Sequence, residues 1–321
     1  MLSRTADHLF WQSRYMERAE NTARLLDVNY QASLLPQSPE VAEAGWRSVL
    51  SIFEVLPAYT ARHGEIEAQR VQEFIVSDEN NPSSIVSGLR AARENARAVR
   101  GALTTEVWEA TNQTWLEFRR HLKDGLLARD PAALFEWVKL RAHLARGVTL
   151  GTMLQDEALD FLRIGSYLER ADNTARMLDV KFHAVSGEPW DIPKEEAGPR
   201  DPAAEFYHWS SVLRSVSAFE VYRKVYSSVI VPEKVAELLI LNGAMPRSLA
   251  HCMGRVLTSL RRVANAQSAE TLRQAGMLKA ELDYGRIDEI LATGLHAYLT
   301  QFLERVGDLG MDISRDFLMP S

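Results

Sequence analysis

The chain has little of what usually announces a chemistry. Its 321 residues contain one cysteine, Cys252, which excludes an internal disulfide framework and a multi-thiolate metal site and points to a reducing, cytoplasmic setting. Only 17 glycines and 12 prolines interrupt it, and strand-like alternation is nearly absent, so it reads as long helices rather than a turn-rich sheet protein. No apolar run approaches the ~18 residues that span a bilayer, and Arg4, Asp7 and His8 break up the apolar residues at the start. Neither membrane insertion nor secretion is expected. The formal charge of −6 comes without a basic block, because the cationic stretches at Arg119–Lys123 and Arg255–Arg262 are short; nucleic acid is therefore not an expected partner. Neither a Gly-rich phosphate loop nor a Gly-x-Ser-x-Gly elbow occurs. A di-iron bundle needs two Glu-x-x-His pairs, and Glu205 with His208 supplies one. Neither a cofactor nor a metal is expected.

What is present is a repeat. Tyr15 to Tyr30 reads YMERAENTARLLDVNY, and Tyr167 to Phe182 reads YLERADNTARMLDVKF. Trp46-x-Ser48-Val49-Leu50 is answered by Trp209-x-Ser211-Val212-Leu213, and Pro82-x-Ser84 by Pro246-x-Ser248. Phe53-Glu54-Val55 matches Phe219-Glu220-Val221 after a short insertion, and beyond the Pro-x-Ser turns the halves diverge. The expected architecture is all-α: two tandem, divergent helical-bundle repeats, 1–150 and 151–321, packed with pseudo-twofold symmetry, with the boundary near Gly147 to Glu157. Pro- and Gly-bearing segments at Leu35–Glu43 and Ser186–Pro202 are read as equivalent loops. Ser83 or Ser84 is placed to cap a helix running from Ile85 toward Leu103, and Asp130-Pro131 to start one running to Leu150.

At 100° per residue, Tyr15, Ala19, Thr22 and Leu26 share one side of the first motif helix, while Arg14, Glu17, Asn21 and Arg24 lie roughly opposite; the second copy repeats this with Glu169, Asn173 and Arg176. Two physical explanations stand side by side. In one, the helices cross so that Glu17, Asn21 and Arg24 interlock with Arg176, Asn173 and Glu169 as a structural pin, because a buried ion pair cannot lose one member cheaply. In the other, the polar faces line a cleft in which Arg24 and Arg176 hold a carboxylate or phosphate and Glu17 or Glu169 acts as acid, base or amine anchor on an amino-acid or peptide-like ligand. Arg18, Arg170, Asp27 and Asp179 sit toward the flanks and are expected in local or inter-helix ion pairs. Cys252 is expected to be a buried structural thiol. The tryptophans at 46, 108, 115, 137 and 209 fall at helical intervals among Leu and Phe and are assigned to the core.

The paired ERAxNTARxLD motifs, the Trp-bearing helix after the first of them, the turn Asn80-Asn81-Pro82-Ser83-Ser84 and the run ARENARAVR from Ala92 to Arg100 make the chain resemble the bacterial alpha-E family over essentially its full length. The resemblance carries over Glu17, Arg18, Asn21, Arg24 and Asp27, with their second-half counterparts Glu169, Arg170, Asn173, Arg176 and Asp179, as family hallmarks without an assigned role. Members of that family are typically encoded beside, or fused to, circularly permuted ATP-grasp-like proteins and transglutaminase-like cysteine proteases. The resemblance thus implies an accessory or substrate-binding subunit in a pathway that forms or processes amide or peptide bonds. The alternatives are an enzyme acting on such bonds through the motif and a helical scaffold with a purely structural Glu-Arg network.

Overall fold

The computed structural model describes residues 1–186 and 202–319, so most of the expected loop at 186–202 lies outside the described residues. What is described is all-helical. Helices α1 (Ser3–Ser33), α2 (Pro39–Ile52), α3 (Leu56–His63), α4 (Ala68–Val76), α5 (Ile85–Ala98), α6 (Thr105–Lys123), α7 (Leu126–Arg129) and α8 (Pro131–Thr152) come first. After a turn at 153–156 follow α9 (Glu157–Ser186), α10 (Pro202–Ser215), α11 (Phe219–Tyr226), α12 (Pro232–Ile240), α13 (Leu249–Arg262), α14 (Ala269–Tyr284), α15 (Ile287–Thr293) and α16 (Leu295–Ile313). Ser314–Leu318 extends α16 as a π-helical turn. None of the described helices is long and apolar enough to cross a membrane.

Local chemistry sets the helix starts. The side chains of Ser84 and Ser248 accept hydrogen bonds from the backbone N–H groups of Ser87 and His251, capping α5 and α13 alike. Asp130 caps α8 in the same way, with Pro131 at the first helical position, where its missing N–H costs nothing. Helix lengths recur in order: 14 residues in both α2 and α10, 8 in α3 and α11, 9 in α4 and α12, 14 in α5 and α13.

One expected register is corrected. There is no insertion before Phe219: Glu54 (φ 56°) and Ser217 (φ 52°) occupy the same left-handed turn position, after which the N–H groups of Val55 and Ala218 bond back to the carbonyls of Leu50 and Leu213. Phe219 therefore stands where Leu56 does, and the likeness of Phe53-Glu54-Val55 to Phe219-Glu220-Val221 is out of register. Both turns lead into a fully buried tyrosine, Tyr59 and Tyr222, whose hydroxyls donate to the carbonyls of Glu65 and Val229.

Two long helices form the centre. α1 packs against α5, α8 and α9, and α9 packs in addition against α13 and α16. Around them Trp46, Trp209, Phe10, Phe118, Phe135 and Phe182 are buried, each worth roughly 1.5–3 kcal/mol or more of transfer free energy. Trp115 is also buried, whereas Trp108 and Trp137 are only half-buried. α1 and α9 approach closely at Gly165, where even a Cβ would overlap the Phe10 carbonyl oxygen and the Ser13 hydroxyl. Glycine is required there by proximity rather than by backbone conformation.

Candidate functional site

Just beyond Gly165 the two Glu-Arg dipeptides meet. Arg170 donates from Nε to Glu17 Oε1 and from Nη2 to Glu17 Oε2, both at 2.8 Å. Reciprocally, Arg18 donates to the two oxygens of Glu169 at 2.6 and 3.1 Å, and Arg14 Nε adds a bond at 2.8 Å. Adjacent residues on a helix point about 100° apart, so a consecutive Glu-Arg on each helix places one bidentate bridge on either side of the crossing. A fork-to-fork guanidinium–carboxylate pair is the strongest and most directional ion pair available to a protein.

The crossing thus interlocks with partners other than those expected. Glu17 and Glu169 pair with Arg170 and Arg18, not with Arg176 and Arg24, because the arginine next to each glutamate, rather than the one seven positions on, reaches across. Arg24 instead donates to Glu20 at 2.7 Å and to Ser217, and Arg176 holds Asp172 at 2.8 Å and also pairs with Glu54. Asp27 accepts from Lys139 of α8 at 2.7 Å, and Asp179 meets His296 of α16 at 2.8 Å. Asn21 accepts from Arg247, while Asn173 donates to the carbonyl and carboxylate of Glu169. The two asparagines line a cavity of about 20 Å³ between α1 and α9, room for one water.

The two halves of the crossing differ in surroundings. Glu17 also accepts from Arg146 of α8, from Ser166 and from Arg247, each at 3.1 Å. One turn on, the fully buried Glu20 receives Arg24, Arg146, Arg247 and, at 3.2 Å, the His143 ring. Four guanidinium groups (24, 146, 170 and 247) therefore surround two carboxylates, leaving two positive charges in excess. Burial by itself raises the Glu17 pKa; the charge of Arg170, opposed by Glu20 and reinforced by its own hydrogen bond and by Arg247, brings it down to about 2. Burial likewise raises Glu169, and Arg14 and Arg18 override it, holding that carboxyl below the usual range. Both motif glutamates are thus ionised at neutral pH, and every lone-pair direction of Glu17 faces a donor.

Sequence reasoning missed Glu20, Arg146 and Arg247. Glu20 carried a signal, since its counterpart Asp172 is also acidic; Arg247 stands opposite Ser83 in the repeat and Arg146 lies in the divergent stretch, so neither could be found from duplication. At this level α1 is covered on both sides: Glu17, Ala19, Glu20, Thr22, Ala23 and Arg24 are all buried.

Beside the Glu17 lock lies a cavity of about 130 Å³ between α1, α6, α8, α9 and α13. Its walls are largely apolar, with Met16, Ala142, Ala145, Leu159 and Leu162 among them, and Glu17, Ser166 and Arg170 belong to its lining. Glu169 does not.

A family model described as a predicted alpha-helical domain with a conserved ER motif, Alpha-E, matches residues 1–318. The chain belongs to the Alpha-E family. In this Alpha-E chain the Glu-Arg pair occurs in the repeated motif at Glu17-Arg18 and Glu169-Arg170, the residues of the crossing lock. The chain is similar to uncharacterized proteins of Mycobacterium bovis and of two strains of Mycobacterium tuberculosis, at 24%, 24% and 23% identity over 320 residues. These alignments cover 94% of the Alpha-E chain but 35% of each relative, so the chain spans about a third of their length. No solved structure matches it.

Proposed function

We propose that the chain is a non-catalytic, ligand-binding module of a pathway that forms or processes amide or peptide bonds, working with further domains or with ATP-grasp-like and transglutaminase-like partners. The observation that carries this reading is a pocket whose carboxylate is saturated. Glu17 lines the 130 Å³ cavity, yet it is ionised and accepts bonds from Arg170, Arg146, Arg247 and Ser166. A general base near neutral pH needs a pKa near the working pH and a free lone pair. Glu17 has neither, so the wall is suited to holding shape and charge rather than moving a proton. Cys252 is no nucleophile either: burial pushes its thiol up to about 12.

Two further observations support the reading. The relatives are about three times longer than the matched region, which is how a module that serves other domains would occur. The recurrence of helix lengths and of the Ser84 and Ser248 caps favours two tandem repeats, 1–150 and 151–321, packed about a pseudo-twofold axis near Gly165. On this reading Glu17 stands beside a pocket lined from both repeats, and Glu169 lies outside it.

The test is reconstitution with a circularly permuted ATP-grasp-like protein. Co-elution with that partner and a change in its ATP turnover are expected, with the change reduced by Ala145→Leu, which fills the cavity. Absence of both co-elution and any change would overturn the proposal, and turnover of a peptide substrate by the isolated chain would replace it with the enzyme alternative.

A further inference from the structure

Resting on the reading of the cavity as a binding site, we infer the class of its ligand: a carboxylate-terminated amide bearing one apolar side chain, such as an N-acylated leucine-type amino acid or the C-terminal residue of a short peptide. Three independent features of the lining specify three parts of this molecule.

The first is size. A dry cavity of about 150 Å³ accommodates benzene, so 130 Å³ holds one branched aliphatic or small aromatic side chain and little more. The wall of Ala142, Ala145, Leu159 and Leu162 suits that group.

The second is an amide without a partner. Gln12 is 5% exposed and lines the cavity, yet its side chain makes no hydrogen bond among the described residues, and its Oε1 is fully shielded. A buried primary amide left unpaired costs roughly 1–3 kcal/mol. Turned toward the cavity, it would offer one acceptor and one donor side by side, matching the N–H and C=O of a ligand amide.

The third is unbalanced positive charge. Arg146, Arg163, Arg170 and Arg255 line the cavity against the single carboxylate of Glu17. Arg146 and Arg170 are committed to the lock, and Arg163 is taken up by Gln155 at 2.7 Å and Asp160 at 3.5 Å. Arg255 is exposed, stacks its guanidinium over Tyr167 at 5.6 Å and forms no ion pair among the described residues. Arg255 and Leu150 are the lining residues that are also exposed to solvent. A carboxylate there would meet the unspent guanidinium of Arg255 while the side chain is buried and the amide lies against Gln12.

Calorimetric titration of the full chain with four probes tests this. N-acetyl-L-leucine carries all three elements; N-acetyl-L-leucinamide lacks the anion, 4-methylpentanoate lacks the amide and N-acetylglycine lacks the side chain. N-acetyl-L-leucine should bind about tenfold more tightly than each of the others. Gln12→Leu, which removes no internal hydrogen bond, should erase its advantage over 4-methylpentanoate, and Arg255→Gln its advantage over the leucinamide. Equal binding of all four probes, or no binding of N-acetyl-L-leucine, would overturn the ligand class. If Ala145→Leu still alters the effect on the ATP-grasp-like partner in that case, the binding-module reading survives its ligand. If neither probe nor partner responds to the cavity, both are lost.

Discussion

Substituting Gly165 with alanine strikes the point on which the helix crossing depends. The added Cβ would lie 3.1 Å from the Phe10 carbonyl carbon, with the carbonyl oxygen and Ser13 Oγ nearer still, whereas unstrained carbon contacts lie at about 3.5–4.0 Å. The clash with the Phe10 carbonyl is with the backbone of α1, so no rotamer change relieves it, and α1 and α9 must part by roughly 1 Å. Overpacking of this kind costs roughly 1–3 kcal/mol. The same displacement would stretch the 2.8 Å bonds between Arg170 and Glu17 beyond hydrogen-bond range, adding part of the ~3–5 kcal/mol that a broken buried pair costs. Better helix propensity returns about 1 kcal/mol. The net loss should be about 3 kcal/mol or more. With an unfolding entropy of about 2.1 cal/mol/K per residue, this lowers the Tm of a chain this long by roughly 4–5 °C. Thermal unfolding followed by circular dichroism measures it, with Gly307→Ala as control, since a Cβ there meets nothing within 4 Å. A Gly165→Ala protein as stable as the wild type would refute the close crossing.

Two predictions concern pH. Burial alone pushes the Lys181 ammonium from 10.5 down to about 8, so the folded chain binds fewer protons than the unfolded one between those values; its penalty is complete below about pH 8 and fades as pH rises toward 10.5. Lys181→Met should therefore be more stable than wild type at pH 7 by up to about 3 kcal/mol, with a gap in urea midpoints that narrows at high pH; a pH-independent gap would refute it. Glu17, depressed from 4.5 to about 2, contributes stability that is complete above about pH 4.5 and lost as pH falls through 2. The difference in stability between wild type and Glu17→Gln should accordingly close across that window, and a difference that persists unchanged at pH 2 would contradict the assigned ionisation.

Much of this architecture was legible in the sequence, for identifiable reasons. Helix starts were readable because Ser84 and Asp130-Pro131 act locally, through their own side chains and backbone. The importance of Glu17 and Glu169 was readable because they recur in two otherwise diverged stretches. Their partners were not, because an inter-helix pair depends on how far apart the axes lie, and that is set by Gly165, an isolated glycine whose role appears only when Phe10 is placed against it. Arg247 and Arg146 were invisible for a related reason: they reach Glu17 across 230 and 129 residues of sequence and have no repeat counterpart to mark them. The false match of Phe53-Glu54-Val55 shows the opposite failure, in which residue identity outweighed the turn geometry at Glu54 and Ser217 that fixes the true register.

The most direct test of the Glu-Arg motif as a buried lock is equilibrium unfolding of Glu17→Gln beside Glu169→Gln at pH 7. Glu17→Gln strands Arg170, whose side chain is 7% exposed, takes one of three partners from Arg247, and should cost about 3–5 kcal/mol. Glu169→Gln releases Arg14 and Arg18, which at 16% and 28% exposure retain access to water, and should cost distinctly less, about 1–2 kcal/mol. A large loss at Glu17 with a smaller one at Glu169 is the expected result; unchanged or increased stability in Glu17→Gln would contradict the lock and return that carboxylate to the candidates for chemistry.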